Sequence, residues 1–93
     1  MASVALPTKD EEAAGKTASP GRVILYNDDW HTFDDVARQL VKAIACTYEE
    51  GERHAFIVHT QGRSMVYTGA RDECERVAGV LRQIRLQVEV DWD

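Results

Sequence analysis

The chain has 93 residues, which allows one domain of modest size. A formal net charge of −5 argues against phosphate-backbone binding as the main activity, and 44% hydrophobic against 29% charged residues excludes a wholly disordered chain. There is no apolar run of roughly eighteen residues and no charged flank before an apolar segment at the N-terminus, so neither a membrane span nor a secretory signal is expected.

Residues 1–20 read as a disordered leader. Lys9-Asp10-Glu11-Glu12 is charged, the stretch from Gly15 to Gly21 is rich in Gly, Ser, Thr and Pro, and no periodic apolar face crosses Pro7 or Pro20. The folded domain is expected over residues 21–93.

Arg22 to Tyr26 reads as a strand. Its consecutive Val23, Ile24 and Leu25 point to a central strand buried on both faces. Asn27-Asp28-Asp29 ends it, flanked by Tyr26 and Trp30, which need burial nearby. Thr32 with Asp35 three residues on has the form of a capping box. The helix that follows runs to about Cys46. Phe33, Val36, Ala37, Leu40, Val41 and Ile44 form its apolar stripe, and Asp34, Asp35, Arg38, Gln39 and Lys42 take the outer face.

Thr47-Tyr48-Glu49-Glu50 is a second capping box, opening a helix to about His59. Gly51 weakens that helix by about 1 kcal/mol relative to Ala. Gly62 is a stop residue. Arg63 to Thr68 reads as a strand with Met65 and Tyr67 on one face and Ser64 and Val66 on the other. A third helix over roughly Ala70 to Arg85 carries Cys74, Val77, Ala78, Leu81 and Ile84 inward. Leu86, Val88, Val90 and Trp92 alternate with Gln87, Glu89 and Asp91 in a closing strand. The order β-α-α-β-α-β predicts an α+β fold: a small three-stranded sheet with three helices packed on one face.

Cys46 and Cys74 show neither a CxxC pair nor metal spacing and read as small buried apolar residues of a protein in a reducing, cytoplasmic setting. Chemistry concentrates instead at the exit of the first strand. His59, just before the Gly62 stop, is expected to approach the Asn27-Asp28 corner, because helix ends and strand ends gather at the same edges of a two-layer domain. An Asn amide oxygen, an Asp carboxylate and a neutral His nitrogen are three acceptors, matching a primary ammonium with its three donors. The plainer reading is turn chemistry, since Asx side chains bond the backbone two residues on. His59 before Gly62 is more often a helix C-terminus histidine favoured by the dipole, and His31 and His54 read as surface residues. A metal site built from Asp28, Asp29, His31 and His59 lacks ligand spacing and ranks last. No nucleophile motif or Gly-rich phosphate loop is present, so binding is favoured over catalysis and no cofactor is expected.

Val23-Ile24-Leu25-Tyr26-Asn27-Asp28-Asp29 before a helix, His59-x-x-Gly62 about thirty residues on, and Val77-Ala78 in a later helix together resemble the ClpS family. These are adaptors of the ATP-dependent Clp protease that recognise N-degrons. The resemblance covers roughly residues 21–91. It implies that Asn27, Asp28 and His59 hold the α-amino group of a substrate. It further implies that His31, Phe33, Val36, Ala55, Val58 and Leu86 form a pocket for a bulky hydrophobic first side chain. A monomeric, non-catalytic adaptor follows, docking on the N-terminal domain of a ClpA- or ClpC-type AAA+ unfoldase, with neither nucleic acid nor membrane as partner.

Departures from the family pattern carry expectations of their own. Ala55 stands where relatives often carry Met, Phe33 where Met or another aliphatic is common, and His31 and Thr32 replace a usual Thr and Pro. The Ala55 change is expected to make room for large aromatics. Arg71, Cys74 and Arg76 stand where Glu-x-x-Glu-x-Lys is usual in the helix that docks on the unfoldase, so only the charge at Arg76 is kept for that contact. The alternative is an interaction module of the same fold that no longer binds N-degrons, since fold alone does not give function.

Overall fold

A computed structural model describes residues 20–92. The leader expected over residues 1–20 therefore falls, but for Pro20, outside the described residues. The elements are β1 (Gly21–Tyr26), α1 (Phe33–Ile44), α2 (Tyr48–Gln61), β2 (Arg63–Gly69), α3 (Arg71–Arg82) and β3 (Gln87–Asp91), in the expected order. β1 is central, paired antiparallel with β2 on one side and β3 on the other.

The helices cover one face of the sheet, so β1 is buried on that face only. Val23 and Leu25 are fully buried there, while Arg22, Ile24 and Tyr26 are half-buried on the other. The expectation of burial on both faces is corrected: polar partners on β3 meet the outer residues instead. Arg22 pairs with Asp91 at 3.2 Å and the Tyr26 hydroxyl donates to Glu89 at 2.8 Å. β2 departs from simple alternation as well. Val23 pairs with Tyr67 but Ile24 pairs with Met65, so Val66 is an extra, bulged residue. The bulge turns Ser64, Val66 and Tyr67 toward the core and leaves Met65 exposed, so Met65 and Tyr67 do not share a face.

Both capping boxes form, with Thr32 and Asp35 bonded reciprocally at 3.0 Å and Thr47 and Glu50 at 3.1 and 3.0 Å. α1 stops at Ile44, two residues early, because Ala45 turns left-handed (φ 55°) and its N–H closes on the Val41 carbonyl. Cys46 therefore lies beyond the helix, half-buried, whereas Cys74 is fully buried. α2 runs on to Gln61 and ends at Gly62 (φ 92°), where glycine is the residue that adopts this conformation without strain. α3 ends at Arg82, three residues short of the expected end, and Arg85 enters the left-handed region (φ 65°) in the turn to β3.

Gln39, expected on the outer face of α1, is buried, and its amide donates to the Val80 carbonyl of α3 at 2.6 Å. Phe33 and Val41 are instead partly exposed, so the buried stripe of α1 is narrower than its apolar pattern. Gly51 lets α1 and α2 approach closely: a Cβ there would sit 2.8 Å from the Ala37 carbonyl oxygen. Leu25, Leu40, Leu81, Val23, Val77 and Cys74 are the largest fully buried side chains. At the start of β1, Trp92 lies over Gly21, and the Arg71 guanidinium stands 4.8 Å above the Trp92 ring. No helix among the described residues is long and apolar enough to cross a membrane.

Candidate functional site

Two backbone features bring the exit of β1 to the end of α2. The left-handed Gly62 stops α2 and turns its carbonyl to the Asn27 N–H, which donates to it at 2.9 Å. His59 lies in the last turn of α2, so the strand exit and His59 meet at one corner. A cavity opens there. Asn27, Asp28, His31, Phe33 and His59 line it together with Val36, Ala55, Val58 and Leu86, and Tyr26 and Thr32 complete its wall. Every residue singled out for the amine and hydrophobic positions thus borders the same space. The cavity is about 30 Å³, room for little more than a water molecule.

Its walls are of two kinds. Val36, Ala55, Val58 and Leu86 are buried core residues, supplied by α1, α2 and the turn into β3. Phe33 and His59 are exposed, and their rings meet edge to face with centroids 5.2 Å apart. Apart from this ring contact His59 has no partner among the described residues, and the Asn27 side chain, also exposed, makes no hydrogen bond among them. Two acceptors therefore stand open at the rim.

Asp28 is different. Its Oδ1 accepts from the backbone N–H groups of Trp30 at 3.1 Å and His31 at 2.9 Å, and its Oδ2 lies 2.6 Å from Nδ1 of His31. Burial pushes the carboxyl up, but the His31 backbone, the His31 ring and the Trp30 backbone together outweigh it and hold Asp28 below the usual carboxylate range. Asx-turn chemistry and a place in the cavity wall therefore coexist in one residue.

His31 was expected both at the surface and in an apolar wall. Its side chain is in fact only 5% exposed and is bonded at both nitrogens, with Nε2 lying 2.6 Å from the Ile84 carbonyl oxygen. Trp30, expected to need burial, is 63% exposed and lies against the His31 ring at 3.8 Å. His54 is half-buried and faces the Ser64 hydroxyl at 3.3 Å. Nothing in the residue pattern pointed to the His31–Ile84 bond, because it joins positions 53 residues apart.

Arg76, the expected docking residue, bonds Glu73 at 3.0 Å and donates to the Ala43 carbonyl at the end of α1 at 3.1 Å. Its charge thus already fastens α3 to α1. Among the described residues no group of three or more His, Cys, Asp or Glu side chains is placed to hold a metal ion.

Residues 16–89 match the family model described as ATP-dependent Clp protease adaptor protein ClpS. The chain belongs to the ClpS family. A solved structure of Agrobacterium tumefaciens ClpS2 bound to L-phenylalaninamide superposes with a TM-score of 0.76 at 21% identity, covering 82% of this chain and 99% of that one, and so supports the fold. Among curated proteins, the E3 ubiquitin-protein ligase ubr-1 of Caenorhabditis elegans is 38% identical over 53 residues, 57% of this chain. Human UBR2 is 36% identical over 58 residues, 62% of this chain. The chain spans only 3% of the length of each of those ligases, so the similarity concerns one small region of them.

Proposed function

We propose that this ClpS-family protein binds the N-terminus of other proteins and hands them to a Clp AAA+ unfoldase of the ClpA or ClpC type. The observation that carries the reading is the pair of open acceptors on Asn27 and His59, beside the Asp28 carboxylate, at the rim of an apolar-walled cavity. An α-ammonium donates to all three, and hydrogen bonds to a charged group contribute roughly 1.5–3 kcal/mol each. The first side chain enters between Val36, Ala55, Val58 and Leu86. A cavity of about 30 Å³ is smaller than a phenyl ring, so Phe33 and His59, the exposed walls, part on binding. The phenylalaninamide bound to the Agrobacterium relative supports this choice of ligand. The family is described as one of protease adaptors, and adaptor, not catalyst, is the role proposed here.

A second reading, an interaction module of the same fold without N-degron binding, draws on the same small cavity and on the internal bonds already made by Asp28. Fluorescence anisotropy separates the two. A labelled peptide beginning with free Phe is expected to bind, and its N-acetylated twin is expected not to. Equal binding of both, or of neither, overturns the amine site.

A further inference from the structure

Asn27, Asp28 and His59 account for the amine and the apolar walls for the side chain, yet lining the cavity does not explain why His31 is bonded at both ring nitrogens. We propose that His31 is a positioning residue: its ring, bridging the Asp28 carboxylate and the Ile84 carbonyl, sets the spacing between the polar rim and the apolar wall of the cavity. The proposal rests on the amine-binding reading above.

The argument begins with the lone pairs of Asp28. An ionised carboxylate has about four acceptor directions. The Trp30 and His31 N–H groups take those of Oδ1, and the His31 ring takes one of Oδ2. One direction remains for an incoming ammonium. His31 decides which one, because the two backbone bonds alone leave Oδ2 without a fixed partner.

The other end of the ring governs the apolar wall. No backbone N–H among the described residues takes the Ile84 carbonyl, and His31 Nε2 meets it at 2.6 Å. Arg85 then turns left-handed, and Leu86, two residues past Ile84, points into the core as a wall of the cavity. One ring thus joins the strand exit that carries the acceptors to the turn that carries Leu86. Each ring nitrogen lies within hydrogen-bonding distance of one of these oxygens. Trp30 covers the ring from solvent. A leucine of similar bulk at this position removes the nitrogen that meets each oxygen.

The test uses the full chain with His31→Leu and His31→Gln, the second retaining one donating group in case the first fails to fold. Anisotropy with the free-Phe peptide is expected to show roughly tenfold or greater weakening for either variant, the loss of one charge-assisted bond. Combining His31→Gln with Asp28→Asn is expected to bind no worse than the weaker single variant, because both act through one carboxylate. Hydrogen exchange of the backbone amides at positions 30 and 31, both bonded to Asp28 Oδ1, is expected to quicken in His31→Gln while the core strands keep their protection. Binding within twofold of the parent, or additive losses in the double variant, overturns the proposal. If the parent binds neither the free nor the acetylated peptide, the adaptor reading fails. The brace is then decided by exchange alone, and unchanged protection of the amides at positions 30 and 31 in His31→Gln overturns it.

Discussion

The rings of Phe33 and His59 meet edge to face across α1 and α2, 5.2 Å between centroids, and both border the cavity while remaining exposed. Phe33→Ala removes a ring that the core does not need. Stability is expected to change by about 1 kcal/mol or less. The opening widens, so a peptide beginning with Trp is expected to gain on one beginning with Phe in competition anisotropy. An unchanged ratio shows that Phe33 does not wall the pocket.

Ala55 is the smallest of the buried wall residues at 3% exposure. In the parent chain peptides beginning with Trp, Phe or Tyr are expected to compete better than one beginning with Leu, and a clear Leu preference contradicts this. Ala55→Met fills the cavity. It is expected to shift the preference from Trp, Phe and Tyr toward Leu while costing about 1–3 kcal/mol of stability, the usual range for overpacking.

Asp28 and Asp29 are neighbours with different duties. Asp28→Ala leaves two backbone N–H groups and the His31 ring without their acceptor, and is expected to cost about 2–3 kcal/mol in urea unfolding. Asp29 is exposed, and Asp29→Ala is expected to stay within about 0.5 kcal/mol. Because the folded-state Asp28 carboxyl lies below its usual value, its contribution is complete above the unfolded value of about 3.9 and is lost as pH falls through the folded one. The stability gap between the parent and Asp28→Asn is therefore expected to narrow only below about pH 4.

His54 gives a separate window. Burial, then the neighbouring Arg53, pushes its pKa down against the opposing pull of Glu50, and its other polar neighbour is the Ser64 hydroxyl. The folded protein thus favours the neutral ring. Its contribution is complete above about pH 6.5 and is lost as pH falls toward the depressed folded value. Thermal melts from pH 7.5 to 5 are expected to show a decline that His54→Gln lacks. Parallel declines place the titration elsewhere.

Gly51→Ala tests tertiary packing against helix propensity. Propensity favours Ala by about 1 kcal/mol. The added Cβ meets the Ala37 carbonyl at 2.8 Å and its Cα at 3.0 Å, both backbone atoms that cannot turn aside. The substitution is expected to destabilise by about 1–3 kcal/mol in urea unfolding, and any gain in stability shows that the helices have slack.

These residues also mark what the sequence carries and what it leaves out. The capping pairs Thr32–Asp35 and Thr47–Glu50 are local in the chain, and their helix starts fall where the spacing puts them. The meeting of His59 with Asn27 follows from Gly62 ending a helix beside a strand exit, again a short-range signal. The buried Gln39, the exposed Trp30 and the bulge at Val66 depend on α3, on the His31 ring and on strand register, none of which is encoded next to them. His31 was legible as a pocket neighbour from family resemblance but not as a buried bridge, because its partner Ile84 is set by how α3 ends.

β1 has a mechanical consequence. The chain enters it at Gly21, under Trp92, and the open acceptor of Asn27 lies at its other end, with antiparallel neighbours bonded along both sides between. A pull on the chain at Gly21 opposed by a load at Asn27 runs along the strand axis. It puts both ladders in shear, where many bonds resist together, and does not unzip them pair by pair.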